Sequence, residues 1–92
     1  MSDFIENFQP GRILNDAIVA AFRANGTNLG EWCRENDVLQ QHARMVLLGS
    51  WSGEKGKALL TRLIEAAGSD TVQYLYSERI HRESKDLKRV QA

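Results

Sequence analysis

A single cysteine, no excess of either charge and no long apolar run mark this 92-residue chain. With Cys33 alone no internal disulfide forms, which suits a reducing compartment. Twelve basic and twelve acidic residues cancel, so no overall field draws the chain to nucleic acid or membrane. The cancellation holds along the chain: two basic and three acidic residues in 1–25, five of each in 26–68, five and four in 69–92. Any basic face must arise from local arrangement. No stretch approaches the roughly 20 apolar residues of a membrane span. The start, MSDFIENFQPG, lacks the basic region and apolar run of a signal peptide. The expected location is the cytoplasm, away from membranes. The length makes one small domain with a thin core, which dimerisation would help.

The stretch GSWSGEKGKALL, Gly49 to Leu60, has the look of a phosphate-binding loop. The pattern G-x-x-x-x-G-K-[ST] wraps phosphates in backbone N–H groups and uses its hydroxyl for magnesium. If Gly56-Lys57 is its second half, the first glycine falls on Trp51 and the hydroxyl on Ala58. Both substitutions remove the chemistry, so nucleotide hydrolysis is set aside.

Apolar spacing is helical through most of the chain. Pro10-Gly11 is a break, after which Ile13, Leu14, Ala17, Ile18, Ala21 and Phe22 share one helix face. Asn25-Gly26 ends that helix, and Thr27 or Asn28 caps a short second one, LGEWCREN. The segment LQQHARMVLL reads as a third, although MVLL alone resembles a buried strand; Gly49 stops it. Leu59, Leu60, Leu63, Ile64 and Ala67 mark a fourth, ended by Gly68. Ser69 or Asp70 is expected to cap a fifth with Val72, Leu75, Tyr76 and Ile80 on one side, running into a charge-dense tail. The expected fold is all-α, four to five short helices with a central helix-turn-helix. Residues 1–11 form an N-terminal arm and 12–68 the helix-turn-helix domain. Residues 69–92 supply a C-terminal helix and charged tail, the candidate dimerisation element.

Residues 29–48 meet the steric demands of a helix-turn-helix. Cys33 is the small residue where the helices cross, and Asp37 takes the left-handed position in the turn. Leu29, Trp32, Val38, Ala43 and Val46 point inward, with Trp32 in the core and Trp51 a core lid or dimer contact. Gln40, Gln41, Arg44, Met45 and Leu48 point outward. Gln pairs bidentately with adenine and Arg with guanine, and recognition helices read bases from their N-terminal residues. Gln40, Gln41, Arg44 and Met45 are therefore the candidate base readers. Two glutamines and an arginine also make an ordinary solvated helix face. Lys55 and Lys57 can neutralise phosphates beside glycines that let the backbone approach closely, with Asn28 and Ser50 as further phosphate contacts. Glu54 suits the first turn of the following helix. Cys33 reads as a small apolar filler, and His42 and His81 have no spacing that suggests a metal site. Neither a cofactor nor catalysis is expected.

The stretch GTNLGEWCRENDVLQQHARMVLLG, Gly26 to Gly49, resembles the central part of small helix-turn-helix proteins of Mu-like phages and prophages. That family shows a Glu-Trp-Ala-Arg-x-Asn-Gly run, a second helix ending in Val-Leu-x-Gly, then a basic glycine-containing loop and another helix. Here the matching residues are Glu31, Trp32, Arg34, Asn36, Val46, Leu47 and Gly49, continued by Gly56 and the Leu59–Ala67 helix, over about residues 20 to 68. Cys33 stands for the usual Ala and Asp37 for the usual Gly. The loop carries only Lys55 and Lys57, and residues 69–92 have no counterpart. The resemblance implies double-stranded DNA as partner and transcriptional control in a phage or prophage setting.

The expectation is thus a homodimeric, sequence-specific DNA-binding regulator. Its rival is a helical interaction module with a protein partner from transcription or phage assembly, a reading that the zero net charge favours. A basic strip along Asn28, Arg34, Arg44, Lys55 and Lys57 would support DNA, and an exposed apolar patch a protein.

Overall fold

A computed structural model describes residues 8–51 and 53–91, with side chains described through Glu83. Residues 1–7, most of the expected N-terminal arm, lie outside the described residues. Among those described there are five α-helices and no strand. They are α1 (Arg12–Ala24), α2 (Leu29–Glu35), α3 (Gln40–Leu48), α4 (Glu54–Ala67) and α5 (Ser69–Gln91). The MVLL segment is therefore helical: Val46 and Leu47 join Ala43 on the buried side of α3. Four helices are short, but α5 runs for 23 residues.

The first three helices end the same way, and the sequence explains why. Each runs into a residue in the left-handed region: Gly26 (φ 80°), Asp37 (φ 57°) and Gly49 (φ 92°). The next residue's N–H then turns back to a carbonyl in the last helical turn. Thr27 donates to Phe22 at 3.1 Å, Val38 to Cys33 at 2.9 Å and Ser50 to Met45 at 2.8 Å. This is the Schellman arrangement, which satisfies carbonyls that helix ends leave orphaned. Asp37 tolerates the conformation better than a bulkier side chain would, so it fills the turn position expected of it.

One expected cap is found and one is not. Asn28 does cap α2, its Oδ1 accepting from the Glu31 N–H at 2.8 Å. Neither Ser69 nor Asp70 caps α5. That helix begins one residue after α4 ends, with the Gly68 carbonyl accepting from the Val72 N–H at 2.9 Å. Ser69 and Asp70 are thus its first helical residues, too far along to cap it. The first-turn acid of α4 is Glu54, as its position suggested.

One core holds all five helices. Leu14, Ile18, Phe22, Leu47, Leu63, Ile64 and Val72 are fully buried. Three polar contacts fix the frame: Gly11 N–H to the Leu47 carbonyl (2.8 Å) ties α3 to the start of α1. Asn25 Nδ2 donates to the Ala67 carbonyl (2.9 Å), and the Gln9 N–H donates to the Tyr76 hydroxyl (3.0 Å). Phe8 is buried edge-on against the Tyr76 ring at 5.1 Å.

The apolar side of α5 is not left waiting for a partner. Val72 and Tyr76 are buried and Leu75 is half-buried, packed with α1 and α4 in the same core. Arg79 on α5 pairs with Asp16 on α1 and with Glu83, both at 3.1 Å, and Arg12 approaches Glu83 at 3.9 Å. Hydrogen bonds to these two carboxylates hold the Arg79 guanidinium more firmly protonated than usual. Of the four residues expected to face a second copy, only Ile80 stays exposed, at 42 %.

Gly56 is not part of a phosphate-cradling loop. It is buried in the first turns of α4, and a Cβ there would run into the Trp51 carbonyl. The obstacle is main chain, which cannot swing aside as a side chain would. Gly56→Ala gains about 1 kcal/mol of helix propensity but overpacks a site where such insertions cost about 1–3 kcal/mol. A thermal melt should show a net loss, each kcal/mol lowering the midpoint by about 4–8 °C in a domain of this size. A raised midpoint would mean that α4 and Trp51 are not in close approach.

Candidate nucleic-acid interface

The tight turn at Asn36 to Leu39 sets α2 and α3 across each other, and Cys33 is buried between them. Burial raises the Cys33 pKa, which keeps the thiol protonated and unreactive. Gly30 is a second small residue at the crossing. The Gln40 side chain lies against it, with Oε1 where a Cβ on Gly30 would come within 3.2 Å. Gln40 therefore rests on α2 at the flank of α3 rather than projecting freely.

The outward stripe of α3 is Gln41, Arg44, Met45 and Leu48, spaced i, i+3, i+4, i+7. Gln41, Arg44 and Leu48 are exposed and Met45 is half-buried. Leu39, at the N-cap of α3, offers no side-chain acceptor to the first N–H groups of the helix. Those donors are left to solvent or to a ligand.

Cations flank this stripe on both sides. On the α2 side, Arg23, Arg34 and Arg44 line one shallow groove with Asn28 and Gln40. On the α4 side, Lys55 and Arg62 line another with Leu39, His42 and Trp51. Among the described residues none of these five cations has a carboxylate within ion-pair distance; the ion pairs are those joining α1 and α5. The region is not purely basic, since Asp37 lines the α4-side groove and Glu31, Glu35 and Glu54 share this half of the chain.

The expected phosphate contacts do not all converge. Asn28 spends its Oδ1 on the α2 cap and keeps its amide N–H groups. Ser50 is exposed directly after α3. Lys55 reaches the groove beside α3, but Lys57 does not line it, because two residues along a helix turn the side chain by about 200°. Arg23 and Arg62 were missed in the linear sequence. Arg23 lies on the last turn of α1 and Arg62 on α4, and no motif spacing ties either to α3. Arg62 also covers Trp32, its guanidinium 5.3 Å from the ring centroid. Trp32 is accordingly a half-buried edge of the core, with Phe22 at 6.2 Å on its inner side. Trp51 is likewise half-buried, packed on the core with the His42 ring edge-on at 5.4 Å.

Among the described residues no helix is long and apolar enough to cross a membrane. Searches against protein-family models, curated proteins and solved structures return no match for this chain.

Proposed function

We propose that this chain is a sequence-specific double-stranded DNA-binding protein, a phage- or prophage-type transcriptional regulator acting in the cytoplasm. One observation carries the reading: a stripe of amide, guanidinium and apolar groups on α3, bordered on both sides by cations that have no carboxylate partner among the described residues. A major groove about 12 Å wide admits a single helix, and the phosphate strands on either side of it then meet the flanking cations. Gln41 and Arg44 read base edges, with Gln40 and Met45 at the margins of the same surface. Asn28, Ser50, Lys55 and Lys57 are the phosphate contacts named from the sequence, to which Arg23 and Arg34 are added. The reading includes a homodimer, because two linked units bind half-sites one DNA turn apart and the second contact is then nearly intramolecular. Among the described residues of α5, Tyr74 (65 % exposed) and Ile80 are the large apolar side chains left for a second copy.

Selection of genomic DNA fragments by the full chain tests the proposal. A recurring motif is the expected result, and recovery of random fragments refutes sequence-specific binding. Salt dependence adds a second check. Lys55→Ala should weaken binding to all sequences alike and make the slope of log affinity against log salt shallower by about one ion. Lys57→Ala, on the far side of α4, should change that slope less. The reverse order would move the phosphate strand to the other face of α4.

A second reading keeps one observation of its own. Leu39, at the N-cap of α3, and Leu48, its last residue, are 65 % and 48 % exposed, and exposed apolar side chains also suit a protein partner. The same fold would then bind a component of transcription or phage assembly. Such a chain would select no DNA motif.

A further inference from the structure

Leu39 stands at the N-cap of α3 with its side chain 65 % exposed, at the edge of the groove that Trp51 and Leu59 also line. Helix N-caps favour Asn, Asp, Ser and Thr, whose side chains satisfy an orphaned N–H. Asn28 does this at α2, whereas Gly11 and Gly53 give α1 and α4 no side-chain cap. At α3 the chain places Leu39, which makes no cap hydrogen bond and leaves its large apolar side chain mostly in water. Two unfavourable features therefore coincide at one residue, immediately before Gln40 and Gln41, at the end of α3 from which bases are read.

Resting on the DNA-binding reading, we infer that Leu39 is a base-reading residue and that its target is the 5-methyl group of a thymine. In the major groove thymine alone among the bases presents a methyl group, and apolar side chains are what contact it. The neighbours fit that surrounding. Gln41, two residues on in the outward stripe, suits adenine. Lys55 and Arg62 border Leu39 on its α4 side, where a phosphate strand would lie. The occupant of the Leu39 surface is thus an A·T base pair edge, with its polar surroundings met by the amides and cations around it.

The test uses the full chain and its selected DNA site, with each thymine replaced in turn by deoxyuridine, which removes only the methyl group. At one thymine per half-site, affinity should fall about fourfold, the worth of one buried methyl group. In Leu39→Ala the same replacement should cost almost nothing, since the two changes remove one shared contact. Leu39→Asn separates binding from folding. It restores a favoured cap, so its melting temperature should rise while its affinity for the site falls. A selected site indifferent to every deoxyuridine overturns the inference while leaving DNA recognition standing. So does a deoxyuridine penalty that persists undiminished in Leu39→Ala. A chain that selects no DNA overturns both and assigns the Leu39 surface to a protein partner.

Discussion

A chain ending at Gly68 is expected to be largely unfolded. The cut removes α5, and with it the cover over α1 that Val72, Leu75 and Tyr76 provide. Burying side chains of this size stabilises by about 1.5–3 kcal/mol each. The cut also strips the Tyr76 hydroxyl from the Gln9 N–H and Arg79 from Asp16. The half-exposed ion pair contributes little after solvent screening. The apolar loss alone is on the order of 5 kcal/mol, against a whole stability of about 5–15 kcal/mol for a domain. A far-UV circular dichroism melt should show little helix and no cooperative transition. If the chain ending at Gly68 instead melted cooperatively near the full-length midpoint, α5 would be an appendage and its apolar side free for another role.

Arg44→Ala is expected to cost about 1–3 kcal/mol of specific DNA affinity, a factor of roughly 5 to 150, the usual worth of one bidentate base contact. Gln41→Ala should cost a similar amount at a different base pair. Both residues are exposed on α3, so the loss should come without a change in melting temperature. Binding to non-specific DNA should fall less than binding to the site, because phosphate contacts dominate that background. Arg44 also lines the groove holding Arg23 and Arg34, which allows a sharper comparison. Arg34→Ala should lower affinity for every sequence in proportion, whereas Arg44→Ala should relax preference at one position. If Arg44→Ala weakened all sequences alike and Arg34→Ala changed the preferred base, the roles of reader and clamp would be exchanged. Equilibrium titrations against a panel of single-base variants at one salt concentration distinguish the two outcomes.

Much of the local structure was legible because it is set by neighbours in the chain. Periods of three and four put Leu14, Ile18 and Phe22 on one face of α1, and Leu59, Leu60 and Leu63 on one face of α4. Asn25-Gly26, Asn36-Asp37 and Leu48-Gly49 marked helix ends because each offers a residue that accepts positive φ. The turn between α2 and α3 and the buried Cys33 followed from the same short-range rules. Gly56 was read as a loop glycine because it stands between Lys55 and Lys57, where a glycine would let a phosphate backbone approach closely. Only the fold reveals that its missing Cβ makes room for Trp51.

The sequence by itself therefore determined the helical character of the chain, the ends of the first three helices and which face of α3 is turned away from the core. These depend on backbone conformation and on apolar spacing within a few turns. Tertiary structure alone decided what each remaining face meets. The periodicity of Val72, Leu75 and Tyr76 announces a buried side but does not say whether a second copy or α1 buries it, since both are equally apolar. Likewise a sum of zero charge cannot show that Asp16 and Glu83 are spent on Arg79 and Arg12 at the α1–α5 seam. That pairing leaves Arg23, Arg34, Arg44, Lys55 and Arg62 without carboxylate partners around α3, among the described residues. Electrostatic attraction depends on distance in space, and the chain order of these residues carries almost none of it.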